Sequence, residues 1–111
     1  MALLPITSAA DDWSATDQRL EAAYLTLHLV DWSQTRHTAR NPALFRECNP
    51  FLPEHPSIGQ VDRYFIGTAL LHVLIADALP EDWRRGFQVG TIGMEFYATS
   101  YNFSVGIKAR F

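Results

Sequence analysis

Three stretches of the chain carry apolar side chains at helical spacing, and each is crossed by one narrow polar line. From Tyr24 to Thr35 the sequence YLTLHLVDWSQT is apolar nearly all the way round. Yet Tyr24, His28, Asp31 and Thr35 recur at i, i+4, i+7 and i+11, which is one face of a helix. In the second stretch Tyr64, Thr68 and His72 step by four, and in the third Gln88, Thr91, Glu95 and Thr99 step by three or four. The period predicts helices, and local punctuation predicts their ends. Ser14 with Asp17 makes a variant capping box ahead of good helix formers, so a first helix is expected over 14–38, before Asn41-Pro42. Ser57 with Gln60 opens a second over 58–79. Pro80 suits the first turn of a third helix over 80–100, where Glu81 and Asp82 complement the positive end of the dipole.

Pro42, Pro50, Pro53 and Pro56 interrupt any helix between 41 and 57, which predicts an ordered loop with a single turn after Asn41. At the other end Phe103, Val105, Ile107, Ala109 and Phe111 alternate with Asn102, Ser104, Gly106, Lys108 and Arg110. That is the period of an extended segment, although no second strand offers itself as a partner. The expected fold class is therefore all-α, a three-helix bundle with a short extended C-terminal tail. Residues 14–111 form one domain, preceded by an N-terminal arm or signal remnant over 1–13.

An apolar helix with one polar line buries its charges safely only if the lines face one another. His28, Asp31, His72 and Glu95 are accordingly expected inside, in one connected network. Two uses for it stay open. It is either a structural network that fixes helix register, or a catalytic or metal site. No H-E-x-x-H or Glu-x-x-His spacing occurs, so neither metal nor cofactor is expected. In the loop, Glu47, Asn49 and His55 either cap the neighbouring helices or line a cleft beside the network. A serine hydrolase lacks its G-x-S-x-G, and Gly86, Gly90 and Gly93 lie within a helix, not in a phosphate-binding turn. The balance of these signals is against an enzyme.

Composition narrows the classes further. With 48% hydrophobic and 19% charged residues among 111, the chain is not disordered. Nine basic residues against twelve acidic ones, with no basic block along the sequence, exclude a nucleic-acid partner. A single cysteine, Cys48, excludes an internal disulfide and a multi-thiolate zinc site. The opening MALLPITSAA resembles the small-residue end of a secretory signal without its basic start. The longest charge-free run within one helix, Tyr64 to Ala76, falls short of the twenty or so residues that span a bilayer. Mean hydropathy of −0.06 argues the same way. Outward apolar faces and the small-x-x-x-small pair Gly86/Gly90 argue for membrane association.

Several segments, in order, carry a resemblance: DWSQTRHTARNP, ECNPFLPEHPS, YFIGTALLH and NFSVGIKARF. Together they resemble small uncharacterised proteins of Gram-negative bacteria and their phages, in which D-W-x-Q-T precedes E-x-N-P and H-P-S. The matching positions are Asp31, Trp32, Gln34, Thr35, Glu47, Asn49, Pro50, His55, Pro56 and Ser57. Many of those proteins look exported or lipid-anchored. A glycine five residues before Phe111 also resembles the sorting signal that ends outer-membrane barrel proteins. The resemblance implies a non-enzymatic protein of the bacterial cell envelope, membrane or periplasm, with an accessory role for a phage or prophage as one form of it. Its partners would be membrane or envelope proteins, or further copies of itself. The alternative is a small soluble enzyme or metal-binding protein using the interior cluster.

Overall fold

Reciprocal hydrogen bonds start the first two helices. The Ser14 hydroxyl accepts the Asp17 backbone N–H and the Asp17 carboxylate accepts the Ser14 N–H, each at 3.0 Å, and α1 (Ala15–Arg40) begins. Ser57 and Gln60 repeat the device at 3.1 and 2.9 Å ahead of α2 (Ile58–Ala78). α3 (Glu81–Ser104) follows Pro80, with Glu81 and Asp82 in its first turn instead of a side-chain cap. This computed structural model describes residues 12–111; the expected arm or signal remnant lies outside the described residues as far as residue 11.

The helices run up, down and up. α1 and α3 are parallel and hold a constant register: Asp17 meets Arg84, Glu21 meets Gln88 and His28 meets Glu95, each 67 positions apart. α2 runs antiparallel to both, so that Asp62 meets Trp32 and Arg36 near one end, His72 meets Glu21, and Asp77 meets Trp13 near the other. The result is an all-α bundle, and no strand forms among the described residues.

The tail departs from its alternating pattern. α3 runs past the expected end at 100, so Phe103 and Ser104 are helical. Gly106, at φ +92°, then ends the helix: its N–H bonds the Phe103 carbonyl and the Ile107 N–H bonds that of Asn102. This is a Schellman stop, which needs a left-handed residue and so favours glycine. The strand-like alternation fails because helical hydrogen bonds take its first residues and Gly106 turns the chain. Ile107 then buries its side chain, and Phe111 packs edge-on against Trp32 at 5.4 Å. Only the last few residues remain non-helical.

Most unusual is what the bundle encloses. Among the described residues the hydrophobic core is Tyr24, Val61, Phe65, Ala76 and Ile107, against eleven buried polar or charged side chains. Leu70, Leu74, Met94, Phe96 and Tyr97 are meanwhile 63–73% exposed. On α1 Leu29 is likewise exposed, while Leu25 is half-buried. Nothing lies within 4 Å of a Cβ added at Gly86 or Gly90, so this small-residue pair permits no close packing within the chain.

Candidate functional site

The polar interior is a column along the bundle, built from side chains one or two turns apart on each helix. At the end where α1 begins, Arg84 and Asp17 pair at 2.9 Å with no solvent exposure of either side chain. Arg84 also donates from Nε to the Ala76 carbonyl and from Nη2 to that of Leu79, closing the open end of α2. Burial alone would raise the Asp17 carboxyl. The Ser14 backbone N–H, Arg84, Arg85 and the Ser14 hydroxyl more than offset it and hold the group below the usual carboxylate range.

One step inward, the three helices meet in a series of bonds. The Glu21 carboxylate lies 2.7 Å from His72 Nδ1, and His72 Nε2 lies 2.7 Å from the Thr91 hydroxyl. Gln88 donates to Glu21 at 3.0 Å, while its own Oε1 is buried without a partner. Tyr24 stacks on the His72 ring at 3.5 Å, and Phe87 covers another part of that ring at 4.4 Å.

The next step repeats the series with the helices exchanged. Glu95 lies 2.8 Å from His28 Nδ1, and His28 Nε2 lies 3.0 Å from the Thr68 hydroxyl. Thus α1, α2 and α3 each contribute to two carboxylate–imidazole–hydroxyl series. Tyr24 joins them, stacking also on His28 with its hydroxyl 3.3 Å from Nδ1. Donor counting assigns one proton. The Phe65 carbonyl, 3.1 Å from His28 Nε2, can only accept, and the Thr68 hydroxyl proton is directed to the Tyr64 carbonyl at 2.7 Å, so Nε2 carries hydrogen.

Asp31 completes this level. It hydrogen-bonds Glu95 and accepts from the Thr35 hydroxyl at 3.3 Å. Burial, the Glu95 hydrogen bond and the negative charges of Glu95 and Glu47 push its carboxyl up to about 9. Asp31 is therefore a neutral carboxyl at pH 7, able to donate its proton to Glu95. The 41–57 loop closes over this end. Glu47 accepts the backbone N–H groups of Cys48 and Asn49, and its own N–H bonds the Glu54 carbonyl at 2.7 Å. Asn49 hydrogen-bonds Tyr64, whose phenol is raised chiefly by burial, with Asp31, Glu95 and Glu47 adding to the shift.

His28, Asp31, Thr35 and Glu95 thus meet directly, with Glu47 and Asn49 beside them and His72 connected through Tyr24. Gln34 is buried but lies elsewhere, donating to the Thr99 carbonyl and accepting from Asn102. His55 is exposed in the loop, outside the cluster. Sequence reasoning missed Asp17, Glu21 and Arg84 as interior groups. The signal was present, because Glu21 precedes Tyr24 by three residues and Arg84 precedes Gln88 by four, extending each polar line by one step. Among the described residues no group of three His, Cys, Asp or Glu side chains is placed to hold a metal ion. A shallow apolar cleft of about 500 Å³ is lined by Leu79, Asp82, Trp83, Gly86 and Phe87, and Phe87 separates it from His72.

No protein-family model, curated protein or solved structure matches this chain.

Proposed function

We propose that this chain is a non-enzymatic, membrane-associated protein of the bacterial envelope that acts by contact, with the polar column as its scaffold. One observation carries the reading: among the described residues the bundle buries eleven polar or charged side chains and turns large apolar ones outward along α2 and α3. In water that arrangement leaves apolar surface without cover. Against lipid or an apolar partner it places every group in a suitable medium. Among the described residues no helix is long and apolar enough to cross a membrane, so the reading is of a bundle seated at the interface, not of three spans. The resemblance to small uncharacterised proteins of Gram-negative bacteria and their phages, many of which look exported or lipid-anchored, supports this location.

Fractionation of cells expressing the gene with its genomic upstream region tests the proposal. The expected result is sedimentation with membranes, resistance to high salt and release by detergent. Recovery as a monomer in buffer without detergent overturns it. A soluble oligomer that buries the apolar belt between copies overturns the membrane assignment and leaves contact between copies as the role of that surface.

A second reading, a small enzyme using the interior cluster, rests on the neutral Asp31 beside Glu95, an arrangement suited to acid–base chemistry. Against it, the proton on His28 Nε2 prevents that nitrogen from activating the Thr68 hydroxyl as a base.

A further inference from the structure

The bundle is electrically lopsided along its length. Arg36, Arg40, Arg46, Arg63, Lys108 and Arg110 gather where α1 and α3 finish and α2 begins, against the carboxyl groups of Glu47, Glu54 and Asp62 and, in the interior of the same half, Asp31 and Glu95. At the opposite end Asp12, Asp17, Glu21, Asp77, Glu81 and Asp82 outnumber Arg19, Arg84 and Arg85. The sequence hides this asymmetry, because the basic residues are scattered between positions 36 and 110 and only the fold collects them.

Within the basic end, Arg36 is spent on Asp62 at 2.6 Å and Arg46 faces Glu54 at 3.4 Å. Arg40, Lys108 and Arg110 converge. Arg40 donates to the main-chain oxygens of Arg110 and Phe111, and the Lys108 N–H donates to His37 Nδ1 at 3.0 Å. All three cations are exposed; no Asp or Glu side chain among the described residues forms a salt bridge with them, and Arg40 alone is met by the terminal oxygen of Phe111. Beside them stand apolar groups that solvent also reaches: Tyr101, Phe103, Val105 and Phe111 are 44–53% exposed. Cations interleaved with exposed aromatic rings suit the boundary of an anionic bilayer, where phosphates meet the former and the acyl edge meets the latter. An acidic protein surface would answer the charges but leave the rings uncovered.

We infer that the end of the bundle carrying Arg40, Lys108 and Arg110 docks on anionic phospholipid, with Phe103 and Phe111 entering the headgroup boundary. This rests on the membrane reading above and adds to it a lipid class and an orientation.

Vesicle flotation of the full chain tests it, comparing phosphatidylcholine alone with phosphatidylcholine mixed with phosphatidylglycerol. The informative variants are K108Q and R110Q, both exposed, with R19Q at the acidic end as control and circular dichroism confirming unchanged helicity. Supporting results are stronger binding to the mixed vesicles, a loss of about fivefold for each cation removed at the basic end, no loss for R19Q, and weakening as salt rises. Equal binding to both vesicle types, unaffected by K108Q and R110Q, overturns the inference while leaving the membrane reading intact. Binding to neither type overturns both. Capture by heparin or an oligonucleotide without binding to phosphatidylglycerol vesicles overturns it in favour of a different polyanion.

Discussion

Asp31 carries the clearest consequence at the scale of a single residue. Its carboxyl stands near 9 in the fold and near 4 in an unfolded chain, so between those values the folded protein holds a proton that the unfolded one has released. The stability this contributes is complete below about pH 4 and is lost as pH rises toward 9. Asp31→Asn keeps a neutral side chain of similar shape and removes that dependence. Denaturation of the two proteins at pH 5 and pH 8 should show the variant gaining on the parent as pH rises, by no more than about 1.4 kcal/mol per pH unit. Asp17 has the opposite sign. Its lowered carboxyl adds stability above the ordinary carboxylate range, and that contribution disappears as pH falls through the folded value. Asp17→Asn removes the carboxylate charge that the buried Arg84 guanidinium meets at 2.9 Å. It should cost about 3–5 kcal/mol in urea unfolding at neutral pH, the range for breaking a buried pair from one side.

At the scale of elements, the legible parts were those with a local cause. The capping boxes at Ser14 and Ser57 and the break at Pro80 placed the starts of all three helices within a residue, because each depends on atoms three or four positions apart. The polar lines were legible for the same reason, since helical phase is local. Which carboxylate meets which imidazole was not legible: the crossed pairing of Glu21 with His72 and Glu95 with His28 is set by tertiary register. The tail misled because alternation of apolar residues carries no information about Gln34, which bonds Asn102 and helps hold that last turn. This element also has a pH-sensitive contact. Burial, then Lys108, Arg110 and Arg40, hold His37 below the ordinary histidine value, and its neutral Nδ1 accepts the Lys108 N–H. A lowered histidine adds stability above about 6.5 that is lost as pH falls through the folded value. Exchange of the Lys108 amide, corrected for intrinsic rate, should therefore quicken relative to amides in the middle of α1 as pH is lowered from 7 to 5.

For the whole molecule, the enclosed column changes which substitutions the chain tolerates. An ordinary apolar core accepts exchanges among Leu, Ile, Met and Val, because dispersion forces have no direction and volume is what counts. Here the interior is specified by bond angles and by donor and acceptor counts, so a replacement must reproduce both shape and chemistry or strand a partner. The outward apolar belt of α2 and α3 asks only that a side chain be apolar. A saturation library selected for folded protein should invert the usual map. Glu21, His28, His72, Gln88 and Glu95 should hold to one or two residue types each, while Leu70, Leu74, Val89 and Met94 exchange freely among apolar residues. Drift in such a protein runs along its outside within one chemical class. Two distant descendants would then share little overall identity, yet keep the same few polar letters at the same intervals.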